Sequence, residues 1–132
     1  MQTHYAIKKE KNKLLKIKTA AYTILPLTED MWATFSNSGA SGSGIAGGVV
    51  TFSLPAAKVG MGFRFLVQAA CPLRIDPNST DTIALPSTGA QSAAGKYIWA
   101  DAIGESVEIE CLVAGDWNVG IGAYTGTWTA EN

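Results

Sequence analysis

The segment VEIECLV, residues 107–113, alternates without a break: Val107, Ile109, Cys111 and Val113 against Glu108, Glu110 and Leu112. A period of two is the signature of a half-buried strand, with one parity facing a core and the glutamates facing water. Gly104-Glu105 precedes this strand, and Gly115-Asp116 links it to Trp117 as a hairpin loop. Reading outward, Val50, Phe52 and Leu54 alternate with Thr51 and Ser53 until Pro55 stops the run. Phe63, Phe65 and Val67 alternate with Arg64 and Leu66, after Gly60 and Gly62, and Leu73 and Ile75 flank Arg74. Shorter strand candidates are 22–24, 32–35, 82–85, 97–99, 117–119 and 124–129. Asp76-Pro77-Asn78-Ser79 has the chemistry of a turn in which Asp76 bonds its own backbone. From residue 19 onward no apolar repeat holds a 3.6 spacing. Strands about every ten residues, with no helices between them, predict an all-β fold, an antiparallel β-sandwich or barrel-like domain.

The chain has 132 residues, one domain's worth, with 47% hydrophobic and 16% charged residues. Ordinary soluble domains carry about 25% charge, so this surface is sparse in charge and suited to burial against partners. The composition excludes collagen and coiled-coil classes, and no apolar run is long enough for a transmembrane helix. The first residues have no apolar region or cleavage site of a signal peptide. Charge is split along the chain: residues 1–18 hold six lysines (Lys8, Lys9, Lys11, Lys13, Lys16 and Lys18) and one glutamate, whereas residues 19–132 hold four cations and ten acids. This divides the chain into a basic extended N-terminal arm, 1–18, and a β domain, 19–132, with a Gly/Ser-rich loop at 36–48. The segment 86–96 reads as a second loop. The arm is suited to docking on an anionic surface. Nucleic acid is disfavoured, because the body has no basic stripe interleaved with aromatics. Leu15-Lys16-Ile17-Lys18 alternates enough to pair as a strand, which would allow β-augmentation.

Catalytic chemistry is thin. His4 is the only histidine and lies in the arm, which removes a serine triad, a rigid Cys-His pair and a histidine-rich metal site. Cys71 and Cys111 stand forty residues apart with no CxxC spacing, and the absence of a secretion signal favours free thiols. Asp76 and Asp81 bracket a short polar segment, but the EF-hand pattern is missing and a turn accounts for them. Asn78-Ser79-Thr80 is a sequon of the kind that arises by chance. Glu108 and Glu110 point the same way about 7 Å apart, the reach of a glycosidase pair, yet no cleft is implied and a solvated strand face accounts for them. No glycine-rich run carries the Lys-Ser/Thr of a phosphate loop. The expectation is a protein that is not an enzyme and has no metal and no cofactor. Trp32, Trp99, Trp117 and Trp128 are candidate interface aromatics, with a sugar platform as the other reading.

The stretch from Tyr22 to Glu131 resembles small virion structural proteins of tailed bacteriophages. The resemblance is carried by TFSNSGASG at 34–42, VTFSLPAAKVGMGFRFLVQAA at 50–70, LRIDPNSTDTIALPSTGAQSAAGKYIWADA at 73–102 and GDWNVGIGAYTGTWTAE at 115–131. Such sequences occur as capsid decoration or head-fibre proteins and as modules of tail fibres. The resemblance implies a β-rich oligomer, often a homotrimer, without enzymatic activity. It places the protein on the capsid surface of the virion after synthesis in the host cytoplasm, with the major capsid protein as partner and no membrane or nucleic acid. The lysines of the arm would then dock on the capsid. The alternative it implies is a tail-fibre or receptor-binding module that recognises host glycans through its aromatic side chains.

Overall fold

The structure is a computed structural model and describes residues 14–25, 30–41 and 48–131. Lys8, Lys9, Lys11, Lys13 and His4 lie outside the described residues, as do residues 42–47 of the Gly/Ser-rich loop. Eleven strands run in the order β1 (Leu15–Ile17), β2 (Tyr22–Thr23), β3 (Thr34–Ser36), β4 (Val50–Ser53), β5 (Gly62–Leu66), β6 (Leu73–Asp76), β7 (Thr82–Ile83), β8 (Ile98–Ala100), β9 (Ser106–Val113), β10 (Asp116–Thr125) and β11 (Thr129–Ala130). The described residues contain no helix. The first sheet has the order β1-β3-β5-β9-β10-β7 and the second β11-β8-β6-β4-β2. The two pack face to face around one core, so the all-β sandwich expected from the alternation is what the chain forms.

The expected antiparallel character holds only in part, because both sheets are mixed. The chain steps from one sheet to the other with each of its first six strands, β1, β3 and β5 joining the first sheet and β2, β4 and β6 the second. Each new strand is laid parallel to the previous one in its own sheet. This half is therefore wound like a coil, with connections crossing the sandwich. β9 then pairs antiparallel with β5, and β8 antiparallel with β6, which closes the winding. β9 and β10 alone are consecutive strands that pair, through the Ala114-Gly115 loop with Gly115 at a φ of 90°. That is the hairpin read from Gly115-Asp116. Strand direction escapes alternation, because parallel and antiparallel neighbours bury the same parity.

The core follows the sequence parity closely. Val50, Phe52, Leu54, Phe63, Phe65, Val67, Leu73, Ile75, Val107, Ile109 and Cys111 are all buried. Val113 is the exception at 59% exposure, since it sits at the hairpin end, past the facing sheet. Phe35 and Phe65 are register partners on the first sheet, and Phe52 meets both from the second at 5.3 and 5.5 Å between ring centroids. Phe63 continues this cluster to Trp117 at 5.6 Å. Each such ring contributes about 1.5–3 kcal/mol by burial, so this aromatic seam is the main bond between the sheets.

The motifs at the C-terminal end have structural explanations. Glu105 accepts the Ala102 amide at 2.9 Å and the Thr127 amide at 2.7 Å, fitting against Gly126 where a Cβ would collide with it. Trp128 is buried and donates its indole N–H to the Ser106 carbonyl at 3.0 Å. The Gly-Thr-Trp ending therefore locks the last strand onto the β9 entry. Asn37 does similar work at the other end, accepting the Gln68 and Ala69 amides and donating to the Cys71 carbonyl.

Candidate functional site

Two places on the surface depart from an ordinary solvated sandwich. The first is the open edge of the first sheet, β1. Its register sets Lys16 beside Phe35, and Phe35 points into the core, so Lys16 occupies the inward slot. Leu15 and Ile17 take the outward slots and are 46% and 51% exposed. The parity is thus inverted relative to every other long strand, with the charge inside and the aliphatics outside. Asp30 makes this tolerable. Its carboxylate is buried, pairs with the Lys16 ammonium, and accepts the Tyr22 hydroxyl at 2.7 Å and the Leu25 amide at 2.9 Å. Burial pushes Asp30 upward, but the bonds from Lys16, Leu25 and Tyr22 and the charge of Lys16 outweigh it and hold the carboxyl below its usual range. Lys18 lies over the Tyr22 ring at 3.9 Å. The Thr34 amide donates to Leu14 and the Lys18 amide to Ser36, so the alternate residues Leu15 and Ile17 turn their backbone N–H and C=O away from β3. Among the described residues nothing pairs with that edge.

The second place is the outer face of the second sheet. Register aligns Thr51, Arg74, Trp99 and Thr129 in one row across β4, β6, β8 and β11. Tyr97 and Asp76 follow one step along. Pro72, Arg74, Tyr97 and Trp99 line a groove of about 250 Å³. The Arg74 guanidinium stacks over the Tyr97 ring at 4.7 Å. Glu131 accepts the Tyr97 amide at 3.0 Å and faces Lys96 at 3.8 Å. Burial and the neighbouring Glu131 charge push the Asp76 carboxyl up, against a smaller pull from Arg74.

The tryptophans separate sharply. Trp117 and Trp128 belong to the core, and Trp32 is buried over Gly62, where a Cβ would collide with its ring. These three are spent within the monomer, which corrects their reading as interface aromatics. Only Trp117 sits on a strand, β10; Trp32 lies in the turn before β3 and Trp128 just ahead of β11, and each is folded back onto the body. Trp99 alone is half-buried and presents its ring outside. Lys16 and Lys18 belong to or abut β1 and are engaged inside the fold, so a docking role for them would compete with Asp30 and Tyr22.

Glu108 and Glu110 face outward from β9, and Glu108 sits 3.8 Å from Arg64, its register partner on β5. Cys71 and Cys111 are both free and buried, and burial raises the Cys111 thiol. Asp81 accepts the Ala57 amide at 2.8 Å, apart from the Arg74–Glu131 surroundings of Asp76. The described residues hold no group of three or more His, Cys, Asp or Glu suited to a metal ion. The Arg74, Asp76, Tyr97 and Trp99 constellation is new relative to the sequence reading. Its signal was the shared parity within LRID and within KYIW, legible only once β6 and β8 are known to be neighbours. No family model, curated protein or solved structure matches this chain.

Proposed function

We propose that this chain is a non-enzymatic structural protein of a tailed-bacteriophage particle, a decoration protein on the outside of the capsid that docks through β1 and the basic residues before it. The observation that carries the reading is the inverted parity of β1. An edge strand that turns Lys16 inward and leaves Leu15 and Ile17 outward, the backbone of those two unpaired among the described residues, is shaped for a partner to cover. Lys8, Lys9, Lys11 and Lys13 directly precede that edge in sequence and favour an acidic partner surface, here the major capsid protein. The sparse charge of the body supports a homotrimer on the lattice.

The test is quantitative mass spectrometry of separated heads and tails from purified particles. Copy numbers near that of the major capsid protein, confined to heads, are expected. A few copies confined to tails, or none in either fraction, would overturn the reading. A companion experiment adds purified protein to undecorated heads. Deleting residues 1–13, or introducing Leu15→Glu, should abolish binding while circular dichroism stays unchanged, and retained binding in both would remove β1 and the arm from the mechanism.

A further inference from the structure

Several polar side chains on the outer face of the second sheet make no hydrogen bond among the described residues, although Glu131 there holds the Tyr97 amide and faces Lys96. Asp30, Asn37, Asp81, Glu105 and Gln91, in other parts of the fold, each hold backbone or side-chain partners. On this face Arg74 is fixed by stacking on Tyr97, yet its guanidinium N–H groups have no acceptor among the described residues. The side chains of Asp76, Thr51 and Thr129 likewise make no hydrogen bond within the described chain, nor does the Trp99 indole N–H, although it is not buried. Donors and acceptors thus surround two rings that stand about 7 Å apart along β8. The Arg74 guanidinium rests over the Tyr97 ring rather than in an ion pair within hydrogen-bond reach of Asp76 or Glu131.

We propose that this face is a binding site for a neutral saccharide, with the apolar face of a sugar ring on Trp99 and the ring hydroxyls exchanged between Arg74, Asp76 and the flanking threonines. Three properties select that class. The groove of about 250 Å³ is open and smaller than the pockets of drug-sized ligands, which suits one sugar unit of a longer chain. An aromatic body ringed by orientable polar groups matches a polyol that has one apolar face. A protein–protein interface core is depleted of charged residues, whereas this face keeps Arg74, Lys96, Asp76 and Glu131. Those two cations and two anions balance, so an acidic saccharide would meet Asp76 and Glu131 at no advantage. The site is independent of capsid docking. β8 lies near the opposite end of the sandwich from β1 and β2, and a protein held by β1 leaves this face outward.

The probes are maltohexaose, cellohexaose, chitohexaose and mannohexaose, titrated into the full chain, with polygalacturonate as the acidic control. Trp99 is the one tryptophan of the four that is not buried, so acrylamide quenching of fluorescence reports on it selectively. At least one neutral hexasaccharide should bind and protect Trp99 from acrylamide. Trp99→Ala should lose at least about tenfold in affinity, roughly 1.4 kcal/mol. Arg74→Gln should weaken the same probe with the far-UV spectrum and urea midpoint preserved, which guards against a folding defect in the tryptophan variant. Leu15→Glu should leave saccharide binding intact, so failure here and failure of capsid docking are read from different variants. No binding by any of the four at about 10 mM, undiminished binding in both site variants, tighter binding of polygalacturonate, or a Trp99→Ala effect on sedimentation without any on saccharide would each overturn the proposal.

Discussion

Asp30 and Asp76 are two aspartates of one small sandwich in opposite circumstances. At the edge of the first sheet, Asp30 is buried and surrounded by donors, and its carboxyl is held low. On the outer face of the second sheet, Asp76 is half-buried beside Glu131, its side chain without a hydrogen bond among the described residues, and its carboxyl is pushed up. The first arrangement stabilises the fold. The second costs stability and leaves an oriented acceptor beside an oriented guanidinium. Asp76 thus stands against its own electrostatic preference beside the half-buried rings of Tyr97 and Trp99, the setting from which the saccharide proposal starts.

The largest effect should come from breaking the satisfied member. Asp30→Asn leaves the Lys16 ammonium in an inward slot without its counter-charge, and it weakens the anchors of Tyr22 and Leu25. Breaking one side of a buried pair costs about 3 kcal/mol or more, and urea unfolding should show a loss of that order. Adding Lys16→Met should recover much of it, because a methionine in the inward slot packs beside Phe35. Acid sharpens the contrast. A carboxyl lowered in the fold contributes stability above its unfolded pKa, and that contribution is lost as pH falls through the folded value. The wild type should therefore lose stability on acidification below the ordinary aspartate range, and Asp30→Asn should show a flatter profile there.

These opposing roles were only partly legible in the sequence. Inward parity in Val50–Leu54, Phe63–Val67, Leu73–Ile75 and Val107–Cys111 was readable, because each run is long enough for its apolar members to outvote its polar ones. Leu15-Lys16-Ile17 has the same pattern, and its apolar parity faces out. Three residues cannot outvote one buried partner, and Asp30 is fourteen positions away. The winding of β1 to β6 was hidden for a related reason. A crossing between sheets and a turn within one sheet are both written in glycine, proline and polar residues. The aromatic face depends on β6 lying beside β8, a pairing across more than twenty residues that no local pattern announces. The four tryptophans show the same limit, since Trp99 and Trp117 both sit on strands and only the burial of Trp117 in the core, against Phe63, distinguishes them.

Relieving the unsatisfied member should act in the other direction. Asp76→Asn removes the repulsion from Glu131 and the burial of a charge, at the cost of the attraction to Arg74. The group is half-exposed and solvent screens these terms, so the expected gain in unfolding free energy at neutral pH is below about 1 kcal/mol. The sign with pH is the reverse of Asp30. A carboxyl raised in the fold destabilises the native state when charged, and the penalty is relieved as pH falls through the raised value. The advantage of Asp76→Asn over wild type should therefore shrink on acidification. A loss of stability at neutral pH would mean that Arg74 outweighs Glu131 and that Asp76 belongs with Asp30 as a structural anchor.

The smallest effect is expected at Glu108, on the outer face of the first sheet. Arg64 stands opposite it at 3.8 Å, with 48% of the Arg64 side chain and 18% of the Glu108 side chain exposed, so the entropy of the arginine and the water on its side offset much of the attraction. Glu108→Gln should shift unfolding free energy by no more than about 0.5 kcal/mol. Glu108 bears directly on what separates the two aspartates. Both sheets carry outward carboxylates, and if an ordinary cross-strand pair on the first sheet were worth as much as the Asp30 cluster, burial and donor number would not be what separates them. A loss above about 1 kcal/mol at Glu108 would place the Arg64–Glu108 pair in a water-poor setting, and the groove between β5, β9 and β10 would then be a second surface to test for a partner. A near-zero result leaves the structural carboxylate at the edge and the unspent one on the aromatic face, each distinguished by the groups that surround it rather than by residue type.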